Sequence, residues 1–313
     1  MSDTTRISAI VPVGDRYDDS GDLAREYLEA LEQTGRDFEL VFVLDGKRIQ
    51  LANMLTELAG ENARLRIIQL TRSFGEATAL SAGLEITEGE IVLSLPAYYQ
   101  VDGAEIGKLL SELDDCDMAI AARWPRAAAS RFEVIRRNVF HWLVSSVSGF
   151  SFSDLGCGVR AFKRAVAQEV PIYGDQHRFF PLLAVRRGFR VREVELRQSE
   201  KDRFDKGYGP KIYIQRFLDI FTVVFLVRFT KKPLRFFGMI GSVTFLLGSL
   251  FLAYVIIERL FFGIALADRP ALLLSSLLVV LGLQIFALGL LGELIIFTHA
   301  RELKEYSIEK IVN

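Results

Sequence analysis

The chain has 313 residues, enough for one α/β domain of ordinary size and a further unit. Its 38 basic and 39 acidic residues nearly cancel to a net charge of −1, which excludes the concentrated basic surface of a nucleic-acid-binding protein. The two cysteines, Cys116 and Cys157, can form neither a disulfide scaffold nor a tetrahedral zinc site by themselves. The polar start, Met1 to Arg6, does not resemble a secretory signal, so we expect the first domain to stay on the side where it is made.

Strand-like and helix-like patterns alternate along the first part of the chain. The predicted strands are Ile7 to Val13, Phe38 to Leu44, Leu65 to Leu70, Ile91 to Leu95 and Met118 to Ala121. The predicted helices are Leu23 to Leu31, Leu51 to Leu58, Ala77 to Leu84 and Ile106 to Leu113. This alternation predicts a Rossmann-like α/β fold with a mainly parallel sheet, in which ligands bind beyond the carboxyl ends of the strands.

Polar and turn-forming residues follow the predicted strands at those ends. They are Pro12 with Asp15, Asp45, the turn from Thr71 to Gly75 that contains Arg72, and the segment from Pro96 to Gln100. No Gly-x-Gly-x-x-Gly or Walker sequence follows any of these strands, which disfavours a dinucleotide-binding or P-loop protein.

Two long uncharged segments lie near the C-terminus. Residues 236–257 carry no charge and would form a helix roughly 33 Å long, enough to cross the hydrocarbon core. A second segment, 271–297, is interrupted only by Glu293, which could be a polar contact between the helices or a group near the lipid headgroups. Neither segment has a polar face, so a transmembrane hairpin is favoured over two core helices of a soluble protein.

The flanking charges predict how the hairpin is oriented. Arg228, Lys231, Lys232 and Arg235 precede the first span, Arg301 and Lys304 follow the second, and Arg259 and Arg269 lie between them. This bias predicts a multi-pass protein of the inner or plasma membrane, with the soluble domain and both termini in the cytoplasm. Residues 211–233 are predicted to form an interfacial amphipathic helix, although a core helix of the soluble domain remains open.

The predicted organisation is therefore a domain over residues 1–210, the interfacial helix 211–233, two transmembrane helices within 234–300 and a tail over 301–313. Gly238, Gly241 and Gly248 in the first span would permit close helix contact, so a homo-oligomer is possible on this pattern.

Five stretches in this order resemble family 2 glycosyltransferases, and within them the polyprenyl-phosphate glycosyltransferases such as dolichyl-phosphate mannose synthase. The stretches are AIVPV (9–13), VFVLDG (41–46), TRSFGEATALSAGLEITEGEIVLSL (71–95), DLGCGVRAFKR (154–164) and HRFFPLLAVRRGFRVREVELR (177–197). The resemblance implies a GT-A type fold, a UDP- or GDP-linked sugar as donor, a polyprenyl phosphate as acceptor and inversion at the anomeric carbon.

The chain departs from this family at the metal-binding motif. The family's Asp-x-Asp after the fourth strand is replaced here by Pro96-Ala97-Tyr98. Such acids hold Mg²⁺ or Mn²⁺ against the diphosphate, whereas proline has no side-chain ligand and a tyrosine phenol is a poor one at neutral pH. No metal is therefore predicted with its usual ligands, and Asp102 could substitute only if the loop were remodelled.

The resemblance also implies roles for individual residues. Asp154, Arg123 and Arg203 are the predicted catalytic residues, with Asp154 orienting groups near the sugar and the acceptor. The predicted substrate-binding residues are Pro12, Asp45, Arg72, Gln100, Arg126, Arg131, His177, Arg178 and Lys206.

Alternatives remain open for these residues and for the whole chain. Asp45 could bind the nucleotide base or cap a turn, and Gln100 could touch a diphosphate or be an exposed amide. The arginines from 123 to 131 could bind phosphate, as the resemblance implies, or form a solvated basic face or contact lipid headgroups. Asp154 could orient the reacting groups or be purely structural. The chain itself could be a transferase or, because both metal-binding acids are missing, a non-catalytic relative that regulates or scaffolds glycan assembly.

Overall fold

A computed structural model describes residues 6–18, 20–125, 152–170, 177, 179–202, 233–263 and 270–299. The chain forms two compact units. The first unit contains a seven-stranded sheet with its helices, and the second contains two long helices.

Strands and helices alternate through the first unit. Its strands are β1 (Ile7–Val13), β2 (Phe38–Leu44), β3 (Leu65–Gln69), β4 (Ile91–Ser94), β5 (Met118–Arg123), β6 (Arg160–Lys163) and β7 (Val191–Leu196). Its helices are α1 (Ser20–Glu32), α2 (Ile49–Glu61), α3 (Glu76–Ile86), α4 (Ile106–Glu112), α5 (Arg164–Glu169) and α6 (Phe180–Arg186).

The sheet is mixed, with the order β3-β2-β1-β4-β6-β5-β7. β1 lies between β2 and β4 and is parallel to both, with Val13 beside Leu44 and Ile10 beside Ser94. β6 is antiparallel to both of its neighbours, and β7 is parallel to β5. The carboxyl ends of β1, β2 and β4 therefore meet at one edge of the sheet, where the candidate site lies.

The central strands explain why the first part of the fold is readable from the sequence. Every residue of β1 and β2 is buried, as in strands covered on both faces, so these strands are continuous apolar runs. α3 packs closely on them, since a Cβ at Gly83 would lie 2.5 Å from the Cγ2 of Ile10. The predicted α/β class and mainly parallel sheet are confirmed, and the five predicted strands are all present.

The second unit consists of α7 (Pro233–Phe262) and α8 (Pro270–His299), with mean hydropathies of 2.2 and 2.5 in their most apolar windows. Both are long and apolar enough to cross a membrane, and the predicted spans lie inside them. Large apolar side chains such as Leu250 and Leu273 are exposed over 67% and 73% of their surface, which fits contact with lipid. The two apolar helices are confirmed, and the chain is a membrane protein.

Glycines bring α7 and α8 into close contact. A Cβ at Gly241 would lie 2.6 Å from the backbone nitrogen of Phe286, and one at Gly248 would lie 2.7 Å from that of Val279. These two glycines therefore form close contacts within the hairpin, because their lack of a side chain lets the backbones of α7 and α8 approach.

Glu293 of α8 also contacts α7. Its Oε2 accepts a hydrogen bond from the backbone nitrogen of Leu234 at 3.3 Å, at the first turn of α7. Of the two interpretations open from the sequence, the polar contact between helices is confirmed. The predicted domain boundary at 210, most of the predicted interfacial helix 211–233 and the tail 301–313 lie outside the described residues.

Candidate active site

The segment that follows β4 is fixed against the segment that follows β1. Asp18 donates its backbone N–H to the carbonyl of Ala97 at 3.0 Å, and its Oδ2 accepts from the backbone nitrogen of Tyr99 at 3.0 Å. The Tyr27 hydroxyl of α1 donates to the carbonyl of Pro96 at 2.9 Å. These hydrogen bonds order the loop that replaces the metal-binding motif.

The residues in that loop do not fit a divalent ion. Pro96 and Tyr98 stand where two carboxylates would be needed, and no cluster of three or more His, Cys, Asp or Glu suited to a metal occurs in the described ranges. Asp102, suggested as a substitute only if the loop were remodelled, has another contact in this loop: its Oδ1 accepts from the backbone nitrogen of Ala104 at 3.2 Å. It caps the short 3₁₀ turn Gly103–Glu105, because an aspartate at such a position satisfies a free backbone donor.

Arginine occupies the surroundings of Tyr98 instead. The guanidinium carbon of Arg16 lies 3.8 Å from the centroid of the Tyr98 ring, in a cation–π arrangement. The Tyr98 hydroxyl accepts a hydrogen bond from the Gln100 amide at 3.1 Å, which holds the ring in place. Arg16 follows β1 and was not identified from the sequence.

Gln100 is buried rather than exposed, so the interpretation as an exposed loop amide is wrong. Its side chain is 3% exposed, and its Oε1 accepts from the backbone nitrogen of Gly158 at 2.7 Å. Gln100 therefore joins the loop after β4 to the turn that contains Asp154. Its predicted contact with a diphosphate remains a prediction.

Asp45 caps the turn that leads into α3. Its Oδ2 accepts from the Ser73 hydroxyl at 2.6 Å and from the Gly75 backbone at 3.0 Å, and its Oδ1 accepts from the Phe74 backbone at 2.7 Å. Burial raises the pKa of this carboxyl, but the three hydrogen bonds and the nearby Arg48 outweigh it, so the pKa lies below its usual value. The capping interpretation is confirmed, and a contact with the nucleotide base remains a prediction.

Arg123, at the end of β5, forms a buried cluster with two carboxylates. Its Nε donates to Oδ2 of Asp154 at 2.7 Å, its Nη2 donates to Oδ1 at 3.0 Å, and its Nη1 donates to Oδ2 of Asp202 at 3.2 Å. Burial lowers the pKa of the guanidinium, but the hydrogen bonds and charge of Asp154 outweigh it and raise the pKa. Arg123 is thus arranged to position Asp154, and its predicted action on phosphate is untested.

Two further residues complete this cluster. Glu193 of β7 accepts from the backbone nitrogens of Ser153 and Asp154 at 2.8 and 2.9 Å, which fixes the turn before Gly156. Gln198 donates to Oδ2 of Asp202 at 2.7 Å. No local sequence pattern marks Asp202, because its contact with Arg123 joins residues far apart in the chain.

The remaining predicted residues are distributed around this edge. Pro12 is buried inside β1, and Arg72 is exposed with its guanidinium carbon 4.8 Å from the Phe74 ring centroid. His177 has its Nε2 3.6 Å from the Glu76 carboxylate at the start of α3. Five predicted residues lie outside the described part of the chain: Arg126, Arg131, Arg178, Arg203 and Lys206.

The mixed sheet, with the candidate site at the carboxyl ends of β1, β2 and β4, is similar to GT-A folds. The solved structure of mannosyl-3-phosphoglycerate synthase from Rubrobacter xylanophilus superposes with a TM-score of 0.55 at 15% identity, covering 70% of this chain and 73% of that one. The family model "Glycosyl transferase family 2" matches residues 8–170, and the chain belongs to this family.

Two curated relatives match the chain almost from end to end. The dodecaprenyl-phosphate galacturonate synthase of Rhizobium johnstonii is 26% identical over 301 residues, which cover 95% of this chain and 89% of the relative. The undecaprenyl-phosphate 4-deoxy-4-formamido-L-arabinose transferase of Proteus mirabilis is 29% identical over 311 residues, covering 98% and 94%. These alignments are long enough to include both C-terminal helices.

Proposed function

We propose that this protein transfers a sugar from a nucleoside diphosphate sugar to a polyprenyl phosphate during cell-envelope or glycan assembly. The observation that carries the proposal is the sequence match over almost the whole chain, which includes the two apolar helices, to relatives named for polyprenyl-phosphate transfer. Membership of family 2 supports the transferase chemistry. The two apolar helices would anchor the chain in the membrane, where such a lipid acceptor is dissolved.

In this reaction an oxygen of the lipid phosphate attacks the anomeric carbon. The bond between that carbon and the donor's diphosphate oxygen breaks, and the nucleoside diphosphate leaves with the bonding electrons. A phosphate monoester is already an anion at neutral pH, so the attack needs no strong general base. Asp154, which Arg123 and Glu193 hold in a fixed orientation, is therefore suited to orienting the reacting groups.

The departing diphosphate must be stabilised as its charge develops. The loop after β4 offers proline and tyrosine where a divalent ion would need carboxylates. Guanidinium groups can neutralise phosphates without a metal, because they present several N–H donors in a planar fork. We infer that arginines supply this charge, and that UDP- or GDP-linked sugars are the donors.

The cations that flank the two helices support a protein of the inner or plasma membrane whose soluble domain and both termini lie on the cytoplasmic side. A reporter fused after Asn313 that is active only in the cytoplasm should be active in cells. Activity of a reporter that works only on the outer side would contradict this topology.

The test of function is a transfer assay on the full chain in detergent. It uses a panel of UDP- and GDP-sugars, a short polyprenyl phosphate, and either EDTA or Mn²⁺, with the lipid product detected by mass spectrometry. We expect one donor to give a glycosyl polyprenyl phosphate, and Asp154→Asn to reduce the rate. Arg190→Ala, which alters an exposed ion pair with Asp117, is the control and should leave the rate unchanged.

The second candidate is a non-catalytic relative that binds without transferring. The observation favouring it is the pair of missing acids at positions 96 and 98, whereas the relatives are named as a synthase and a transferase. Nucleoside diphosphate binding without product for any donor in the panel would favour this candidate and contradict the transferase.

A further inference from the structure

The end of β1 and the end of β4 place an arginine against the degenerate metal-binding motif. These strands are parallel neighbours, so the segments that follow them leave the sheet at the same edge. Arg16 lies three residues after Val13 in the first segment, and Tyr98 lies four residues after Ser94 in the second. Their meeting is therefore a consequence of the central strand order.

The position of the Arg16 guanidinium is fixed on two sides. On one side it lies over the Tyr98 ring, at 3.8 Å from the centroid. On another, its Nη2 lies 3.7 Å from Oδ1 of Asp202, which is close enough for attraction but too long for a hydrogen bond. The Asp202 side chain is fully buried and is anchored by Arg123 at 3.2 Å.

The same guanidinium keeps its donors available. The Arg16 side chain is 43% exposed, and it donates no hydrogen bond to any described residue. A guanidinium has five N–H donors in a planar fork that matches phosphate oxygens. Arg16 is thus a positive group that an aromatic ring and a carboxylate restrain. Its N–H groups are open at the edge of the sheet where ligands bind in folds of this kind.

We propose that Arg16, held on Tyr98, is the group that binds the diphosphate of the sugar donor and replaces the divalent ion. The inference rests on the proposed function and specifies how its site works. The Tyr98 ring then supports the Arg16 guanidinium by a cation–π contact, at the sequence position where an acid would hold a metal. Donor binding should consequently be independent of Mg²⁺ and Mn²⁺.

The chain offers a matched control for Arg16. Arg64 also stacks on an aromatic ring, with its guanidinium carbon 4.7 Å from the Phe38 centroid, and lies 3.8 Å from the Glu32 carboxylate. Its side chain is 49% exposed, close to the value for Arg16. Phe38 begins β2, so Arg64 lies at the opposite end of the strands from the candidate site.

The experiment titrates UDP, GDP, UMP and GMP into the full chain in detergent by calorimetry, with EDTA or with Mn²⁺. We expect wild-type protein to bind UDP or GDP with the same Kd under both conditions. Arg16→Ala should weaken diphosphate binding about 10-fold or more, as expected for a lost hydrogen bond to a charged group, and should change monophosphate binding less. Arg16→Lys should fall between the two, and Arg64→Ala should match wild type.

Each alternative result has a separate meaning. Binding that requires Mn²⁺, or equal binding by Arg16→Ala and wild type, would overturn the role of Arg16 and leave the proposed function standing. No binding of UDP or GDP by wild-type protein under either condition would overturn both. Thermal unfolding of each variant excludes misfolding, and Tyr98→Leu provides an independent test because it removes the aromatic ring while keeping the arginine.

Discussion

Arg123 and Asp154 form a two-pronged ion pair in the interior of the first unit. Nε and Nη2 of the arginine donate to the two carboxylate oxygens at 2.7 and 3.0 Å, and the two residues are only 5% and 3% exposed. A buried pair of this kind contributes little net stability relative to apolar residues, yet the loss of Asp154 would leave two guanidinium donors without an acceptor in the interior.

Asp154→Ala should therefore destabilise the protein strongly. Arg123 would keep the contact with Asp202 at 3.2 Å, but its Nε and Nη2 would lose their acceptors in a site where the residue is 5% exposed. The expected loss is about 3 kcal/mol or more, which thermal unfolding of the full chain in detergent would measure as a lower midpoint.

The matched control for this pair is exposed. Arg190 lies 3.4 Å from Asp117, with 65% of the arginine side chain exposed. Arg190→Ala should cost less than about 1 kcal/mol because solvent screens such pairs. Similar losses for the two variants would contradict the importance of the buried pair.

Asp45 should make the stability of the protein depend on pH. Its pKa is lowered in the folded protein by hydrogen bonds to the turn before α3. A group with a depressed folded pKa stabilises the protein above its unfolded pKa and loses that contribution as the pH falls through the folded value. The stabilisation is therefore complete at neutral pH and is lost below the ordinary value of 3.8.

The measurement compares Asp45→Asn with wild type by unfolding between pH 7 and pH 3. The variant should be less stable at pH 7, and the difference should shrink as the pH falls below 3.8. Asp37→Asn, at an exposed residue 3.8 Å from Arg6, should show a small difference at every pH. A difference in stability between Asp45→Asn and wild type that stayed the same at every pH would contradict this role of the Asp45 carboxylate.

The sheet shows which parts of the fold a sequence can predict. β1 and β2 were predicted to the residue, because strands buried on both faces are continuous apolar runs. β6 has four residues, too few to show a periodic pattern of apolar residues. In β7, at the edge of the sheet, apolar residues alternate with charged ones. Neither was predicted, so the antiparallel insertion between β4 and β5 was missed.

The candidate site shows a similar division. Arg123 and Asp154 were identified from motifs, but the sequence suggested that Arg123 faces phosphate, and the structure pairs it with carboxylates. Asp202 lies 79 residues from Arg123 in the chain. Contacts at such separations, including that of Arg16 with Tyr98, depend on strand order and cannot be read from local patterns.

Gly241 should not tolerate a side chain. A Cβ there would lie 2.6 Å from the Phe286 nitrogen and 2.8 Å from the Gly282 carbonyl oxygen, so backbone would have to move. Gly241→Ala should destabilise the hairpin by about 1–3 kcal/mol, as overpacking does. Resistance to protease in detergent micelles would report the loss.

Gly238 provides the control within the same helix. Its added Cβ would meet the Leu234 Cδ1 at 3.3 Å, the end of a flexible side chain that can move. Gly238→Ala should therefore be nearly neutral, since alanine also favours the helix. If Gly241→Ala were equally neutral, α7 and α8 could not be packed as closely as described.

Glu293 should act as a hydrogen-bond acceptor for the start of α7. Its Oε2 lies 3.3 Å from the Leu234 nitrogen, one of the first N–H groups of a helix, which have no partner within the helix itself. Glu293→Gln keeps an acceptor oxygen and should retain the wild-type thermal midpoint in detergent. Glu293→Leu should lower stability by about 1–2 kcal/mol, because the donor loses its partner in apolar surroundings.

A comparison with Glu258 separates this contact from a general effect of removing an acid. Glu258 lies near the other end of α7 and accepts from the Tyr254 hydroxyl of the same helix at 2.7 Å. Glu258→Leu removes a contact within one helix and should change the midpoint less than Glu293→Leu. Equal losses for Glu293→Gln and Glu293→Leu would show that the charge, rather than the acceptor oxygen, stabilises the hairpin.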